Sequence, residues 1–311
     1  MYIGVDIGGT KCAVVLGDPK GDRKVLKKVK FPTLGVDETI ARITAEVEKM
    51  MPCDAIGISC GGPLDEKRGI IMSPPNLPDW DNIHITDILK DKFGVPVRLL
   101  NDANACAVAE WKYGAGRGAE NMIFLTFGTG LGAGLILGGK LYSGACGMAG
   151  EVGHIRLAEE GPIGYGKAGS FEGFCSGGGI ARAAKDIAKR AKEAGRVAFS
   201  AVSDEEIDAL TAAEIARLAR LGDPDAKALF NECGRRLGQG LAILADILNP
   251  EKIVIGSIYQ RCSDLLCEQA DQVLSKEALG ATYSRLSVVP AELGDEIGDL
   301  AALAVASEIF N

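Results

Sequence analysis

Two hydrophobic periods alternate through the first hundred residues. Short apolar runs at 2–7 (YIGVDI) and 11–17 (KCAVVLG) bracket the small-residue turn GGT, and 24–31 (KVLKKVKF) alternates with period two, so all three read as strands. Over 37–51, Ile40, Ile43, Val47 and Met50 recur at helical spacing. DAIGISC at 54–60 is a buried-type strand, 84–93 a short helix, VPVRLLN at 95–101 a strand, and 103–114 an alanine-rich helix ending at Gly114.

The pattern then restarts. NMIFLTF (121–127), GAGLILG (132–138) and KLYSG (140–144) read as strands, and 171–194, 211–220 and 225–248 as helices, with Pro224 at a first helical turn. A strand at 251–257, a helix at 259–278, a strand at 285–293 and a closing helix at 297–310 complete the chain. VDIGGTKCAVVLG and LTFGTGLGAGLILG are two versions of one unit: apolar strand, small-residue turn, apolar strand. The repeat predicts an α/β protein of two similar lobes with a central cleft. The expected boundary falls in the glycine-rich stretch YGAGRGAEN at 113–121, which gives an N-terminal lobe over 1–117 and a larger one over 118–296. The C-terminal helix, 297–311, is expected to pack back on the first lobe.

Composition narrows the function. A length of 311 residues, 47% hydrophobic and 24% charged, fits about two globular domains. A formal net charge of −8 argues against a nucleic-acid partner, because phosphate backbones need a basic face. No run approaches a membrane span, and the start, MYIGVD, lacks the basic region and cleavage site of a signal peptide. The nine cysteines form no CxxC pair, so no zinc ribbon or redox motif is visible. Scattered, mostly apolar-flanked thiols point to a reducing cytoplasm.

The two glycine turns, DIGGTK and TFGTGLG, read either as tight hairpins or as phosphate sites. Exposed N–H groups in such turns form an anion nest, and threonine adds a hydroxyl donor. One turn in each lobe would suit a polyphosphate. Asp6, at the strand end beside the first turn, could hold Mg²⁺ directly or through water. Neither turn is a GxxxxGK[ST] loop or a helix-opening GxGxxG. In LLNDANAC, Asn101 and Asp102 sit between a strand and a helix. They read as a helix N-cap, as a substrate pair in which Asp102 takes a proton from an alcohol, or as both.

These motifs together resemble the ROK family (repressor, open reading frame, kinase) of the actin-like sugar kinase superfamily. GVDIGGTK and TFGTGLGAGL resemble its two phosphate motifs, GISCGGPLD its sugar loop, LNDANACAVAE its catalytic segment, AGEVGH its ExGH sugar motif and IVIGS its adenosine-side strand and turn. The resemblance spans nearly the whole chain. It implies two actin-like (ribonuclease H-like) lobes about a cleft for ATP and a sugar. It also implies transfer of the γ-phosphate to a hexose hydroxyl, most simply glucose to glucose 6-phosphate. By position, Asp102 is the implied general base, and Gly61, Asn76, Asn101, Asp102, Glu151, His154 and Glu172 are the implied sugar-binding residues. Asp6, Gly8, Gly9, Thr10 and Lys11, with Thr126, Gly128, Thr129 and Gly130, are implied for phosphates and Mg²⁺, and Gly256 and Ser257 for adenosine. A homodimer is the implied assembly.

The alternatives are a kinase for N-acetylmannosamine, N-acetylglucosamine, fructose or allose, a polyphosphate-dependent kinase, a non-catalytic sugar sensor, and a sugar-responsive repressor. Repressors of the family carry a DNA-binding segment before the first phosphate motif. That motif begins here within the first ten residues, which opposes the repressor reading.

Three departures stand out. Family members often bind structural zinc through CxCGxxGCxE, but here the stretch is IGYGKAGSFE, with Ile163, Tyr165 and Ser170 at the cysteine positions. His154 and Cys175 leave at most two good ligands, two short of a closed tetrahedral site. His154 therefore needs another partner, either Tyr165 or a backbone carbonyl, to fix its tautomer. Gly61 stands where relatives have proline, and IGSI has one glycine where the family often has two or three. His84 reads as a surface or capping residue. Elemental analysis is expected to find no stoichiometric zinc, and chelator to leave the fold intact; about one zinc per chain would contradict both.

Overall fold

The computed structural model describes residues 1–18 and 24–310, so the last residue of the expected closing helix lies outside the described residues. Clustering of contacts divides the chain into two compact units. One comprises Met1–Glu120, Gly134–Ala149 and Glu292–Asn311, and the other Asn121–Ala133 and Gly150–Ala291.

The first half of the chain supplies β1 (Tyr2–Ile7), β2 (Lys11–Asp18), β3 (Lys24–Pro32), α1 (Val36–Glu48), β4 (Ala55–Cys60), the two-residue strands β5 (Leu64–Asp65) and β6 (Ile70–Ile71), α2 (Ile85–Phe93), β7 (Val97–Asn101) and α3 (Asp102–Tyr113). Its sheet has the order β3-β2-β1-β4-β7. The three-strand meander is antiparallel, and β4 and β7 add in parallel. Parallel strands buried on both faces read as continuous apolar runs, and all six residues of β4 are buried.

The restart seen in the sequence builds a second sheet of the same kind. Its chain order is β8 (Met122–Phe127), β9 (Leu131–Leu137), β10 (Lys140–Leu141), β11 (Ile163–Gly164), β12 (Lys167–Ala168), α4 (Phe171–Phe174), α5 (Gly177–Glu193), α6 (Asp204–Asp208), α7 (Ala212–Arg220), α8 (Pro224–Leu248), β13 (Lys252–Ile255), α9 (Ile258–Glu277), α10 (Gly280–Tyr283), β14 (Ser287–Pro290) and α11 (Ile297–Ser307). The order β10-β9-β8-β13-β14 repeats the first sheet strand for strand, with β13 parallel to both β8 and β14. The α/β class and the doubled sheet agree with the sequence reading.

The helix expected over 171–194 is instead two. The first ends at Phe174 with Cys175 as its C-cap, and Ser176, extended (φ −145°, ψ 160°), caps the next by accepting the Gly179 N–H on its Oγ.

Helix α11 lies on the first sheet because two glycines let it. Gly4 of β1 and Gly57 of β4 are direct partners across the sheet. A Cβ on Gly57 would lie 2.3 Å from both Ala302 O and Ala306 N, and one on Gly4 would lie 2.8 Å from Ala302 Cβ. The helix answers with alanines: Ala301, Ala302, Ala304 and Ala306 are all fully buried. A second tie holds the chain's return. Glu110 of α3 is fully buried, and its carboxylate accepts the N–H groups of Ala115 (2.8 Å), Glu292 (3.2 Å) and Leu293 (2.9 Å). Three backbone donors satisfy a carboxylate that burial would otherwise penalise heavily.

Gly57→Ala is expected to lower the denaturant midpoint, at a cost of about 2–3 kcal/mol from overpacking. Gly35→Ala, whose Cβ would meet nothing within 4 Å, is expected to change stability by less than about 1 kcal/mol.

Candidate active site

In the first unit the β1–β2 turn presents backbone outward. Gly8 N–H bonds to Lys11 O (3.2 Å), and the neighbouring Thr33 clamps the turn, donating its hydroxyl to Gly8 O and its N–H to Thr10 O (3.0 Å). Gly9, Thr10 and Lys11 are exposed. Gly9 packs so closely on Asn76 that a Cβ there would lie 2.2 Å from Asn76 O, so the turn and the 74–80 loop meet.

Asp6 is the penultimate residue of β1, behind this turn. Burial pushes its carboxyl up from an ordinary 3.8 to about 6, helped by the nearby charges of Asp102 and Asp299 and opposed by Lys11 and Lys28. Asp299 reaches this neighbourhood on α11 and forms an ion pair with Lys28 of β3.

The β7–α3 junction holds Asn101 and Asp102. Asn101 is extended (φ −59°, ψ 147°), and its Oδ1 accepts the Ala103 N–H at 2.9 Å, which makes it the N-cap of α3. Asp102 Oδ1 shares the same donor at 2.8 Å. The Asp102 side chain is accessible, yet the protein atoms crowded around it raise its carboxyl above the usual range, and the Ala103 N–H only partly opposes this. An accessible carboxylate held in this way accepts protons more readily than one in water. The GGPLD segment at 61–65 lies against Asn101: a Cβ on Gly62 would be 3.2 Å from Asn101 Nδ2. Gly61 has open space around it. Glu66, which the sequence did not single out, accepts the Asn101 N–H and the Asn104 amide, both at 2.9 Å.

The second unit carries the other residues. Thr126 Oγ1 accepts the Gly132 N–H (3.1 Å), and Gly128 N–H bonds to Gly130 O (3.1 Å), closing the β8–β9 turn. The start of α5 braces it, with Gly177 N–H on Gly128 O (2.7 Å) and Gly178 N–H on Thr129 O (3.0 Å). Glu172 Oε2 accepts the Leu131 N–H at 3.0 Å, so this carboxylate supports the turn's exit. Gly128, Thr129, Gly177, Gly178, Ser257 and Arg261 are among the residues lining a cavity of about 600 Å³, within the range of small-molecule sites. Ser257 adopts a left-handed φ of 57°, and its N–H is taken by Gln260 Oε1 (3.0 Å). Strained non-glycine backbone of this kind persists where its surroundings over-determine it.

Glu151 and His154 are exposed on a short 3-10 turn, Val152–His154. Gly153 packs against β9, where a Cβ would lie 2.1 Å from Leu131 O and 3.2 Å from Glu172 Cβ. The imidazole of His154 meets the Tyr165 ring edge-on, with centroids 6.2 Å apart and planes at 77°. Tyr165 therefore stands beside His154 as a ring contact, and not as the hydrogen-bond partner expected to fix the tautomer. Lys167 also donates to His154 O at 2.7 Å.

The residues at the cysteine positions do not fit zinc. Ser170 caps α4 by accepting the Gly173 N–H (3.1 Å), and the Cys175 thiol is buried and directed at Cys233 O (3.4 Å). Among the described residues, no group of three or more His, Cys, Asp or Glu is placed to hold a metal. His84 lies at the start of α2, with Nδ1 3.4 Å from Asp87.

The pattern of the ROK family matches residues 2–309. The chain belongs to the ROK family. Among ROK relatives, a glucokinase of Streptomyces coelicolor is 34% identical, covering 99% of this chain and 98% of that protein. A xylose repressor of Caldicellulosiruptor bescii is 28% identical over 97% of this chain and 77% of its own length. The fold agrees with solved ROK structures. A ROK hexokinase from Thermus thermophilus superposes with a TM-score of 0.83 at 30% identity, covering 99% and 98% of the two chains. A ROK glucokinase from Streptomyces griseus, solved with glucose and AMPPNP, gives 0.77 at 33% identity over 99% of each. No described helix is long and apolar enough to cross a membrane.

The Asp6 shift has a stability consequence. The folded state holds this proton more tightly than the unfolded chain, so stability falls as pH rises from about 4 to about 6. Above that range the charged carboxylate costs up to about 3 kcal/mol. Asp6→Asn is therefore expected to raise the melting temperature at pH 8, less so at pH 5, and not at pH 4. Equal gains at all three would contradict the buried-carboxyl account.

Proposed function

We propose that the protein is an ATP- and Mg²⁺-dependent sugar kinase that transfers the γ-phosphoryl group to a hexose hydroxyl, with glucose as acceptor and glucose 6-phosphate as product. The observation that carries this is Asp102: an accessible carboxylate of raised proton affinity at a strand–helix junction. Membership of the family, and the glucokinase and hexokinase names of its relatives, support the same reading.

In this reaction the sugar oxygen attacks the γ-phosphorus, its proton passes to Asp102, and the bond to the bridging oxygen of ADP breaks. The transition state is loose, so positioning and charge neutralisation do most of the work. Gly61, Asn76, Asn101, Asp102, Glu151, His154 and Glu172 are the residues assigned to the sugar hydroxyls. Carboxylate, amide and imidazole groups suit hydroxyls that both donate and accept, and a sugar lacking one would leave a buried group unpaired. Gly8, Gly9, Thr10 and Lys11, with Thr126, Gly128, Thr129 and Gly130, take the phosphates, and Gly256 and Ser257 adjoin the adenosine. Mg²⁺, held through Asp6, supplies charge neutralisation on the phosphates. Its positive charge would favour the ionised carboxylate that burial disfavours, so the residue fits the ion. The protein acts as a homodimer in the cytoplasm, where its nine free cysteines stay reduced.

One observation favours a second acceptor class. A Cβ on Gly61 would meet nothing within 4 Å, which leaves room beside the sugar loop for an N-acyl substituent. A panel of glucose, mannose, fructose, allose and the N-acetylhexosamines, with ATP or polyphosphate as donor, separates these readings. Glucose with ATP is expected to give the highest kcat/KM, and no transfer to any sugar would overturn the proposal. Asp102→Asn is expected to lower kcat by about 10²–10⁴-fold while sugar still binds.

A further inference from the structure

Glu66 follows the GGPLD segment and opens the charged turn Glu66–Gly69, which the sequence reading did not single out. The side chain is half-buried, and its carboxylate makes three hydrogen bonds, two at the β7–α3 junction and one to the segment around Ser143. Oε1 accepts the backbone N–H of Asn101 (2.9 Å) and the side-chain amide of Asn104 (2.9 Å). Oε2 accepts the Ser143 hydroxyl (3.0 Å). Asn101 is the last residue of β7, and Asn104 lies in the first turn of α3. One carboxylate therefore holds both sides of the junction from which Asp102 projects.

The contacts are not interchangeable with solvent. Asn104 is 2% exposed, and its Oδ1 has no donor among the described residues, so the bond to Glu66 is the side-chain bond its amide makes. The Ser143 contact ties the same carboxylate to the segment 134–149, eight residues before Glu151 in the chain. Charge is not the link to Asp102: burial and backbone hydrogen bonds account for the shift of its carboxyl, and Glu66 is absent from those causes.

We infer that Glu66 is a positioning residue for the transfer reaction: it fixes the backbone at Asn101 and the first turn of α3, and so sets where Asp102 meets the acceptor hydroxyl. The inference rests on the kinase reading above. Its action is geometric, which makes glutamine an adequate replacement. The Gln Oε1 can accept both nitrogen donors, and its Nε2 can donate to Ser143 Oγ with that hydroxyl's role reversed. Alanine removes every contact. Aspartate, one methylene shorter, has the charge without the reach.

Glu66→Ala, Glu66→Asp, Glu66→Gln and Ser143→Ala are compared with the wild type by steady-state kinetics, with sugar and ATP varied separately, and by hydrogen exchange at the Asn101 amide. Glu66→Ala and Glu66→Asp are expected to lower kcat/KM for the sugar by about 10–100-fold, the scale of a small misplacement of reacting groups, with KM for ATP within about twofold. Glu66→Gln is expected to restore most of that loss. Asn101 amide exchange should accelerate in the alanine and aspartate variants and stay slow in the glutamine one. Ser143→Ala, which leaves both Oε1 contacts in place, should fall between wild type and Glu66→Asp. Where Glu66→Ala does not fold, Glu66→Asp carries the same comparison. Unchanged sugar kinetics in folded Glu66→Asp would overturn the inference. So would an equal rise in both KM values, or a glutamine variant as impaired as the aspartate one. A wild-type protein that phosphorylates no sugar would instead sink the kinase reading on which the inference stands.

Discussion

Close approach of one helix to one sheet is the constraint on which the first unit depends. Gly4 and Gly57 face each other across β1 and β4, and no side chain separates them from α11. The C-terminal helix can therefore lie with its backbone almost on the sheet, and it brings Asp299 with it. That carboxylate pairs with Lys28 and adds to the repulsion on Asp6. A packing decision made by two absent methyl groups thus reaches the charge state of a residue at the first glycine turn. The link runs from sequence, through packing, to electrostatics.

The same economy recurs where backbone groups need partners. Asn101 caps α3, Glu66 holds the strand before it, Glu110 holds the chain where it returns at 292–293, and Glu172 supports the exit of the second turn. Each is a polar side chain spent on main-chain N–H groups. Buried or half-buried carboxylates satisfied in this way stay ordered without a partner cation. At His154 the support is modest: one aromatic edge and a lysine on the carbonyl.

Much of the fold was legible in the sequence because it repeats. Two strand–turn–strand units with glycine and threonine between them announced two sheets of one design, and the sheet orders match. The break at Cys175–Ser176 was not legible, since hydrophobic periodicity continues across it and only the serine cap interrupts the helix. Candidate residues could be picked from the sequence where they carry unusual chemistry near a strand end, as Asp6, Asn101 and Asp102 do. Glu66 was missed for a physical reason: a glutamate in a charged turn has the same local signature whether it faces water or a backbone N–H 35 positions away.

The sequence by itself determined what depends on neighbours along the chain. These are the strand and helix periods, the glycine turns, the N-cap at Asn101, the loss of the zinc thiols and the membership those motifs imply. Only the tertiary structure decided what depends on groups distant in the chain. The raised carboxyls of Asp6 and Asp102 come from burial by other elements, and the seat of α11 from two strands over two hundred residues away. Desolvation and hydrogen bonding are properties of an environment, and the chain acquires that environment only when it folds.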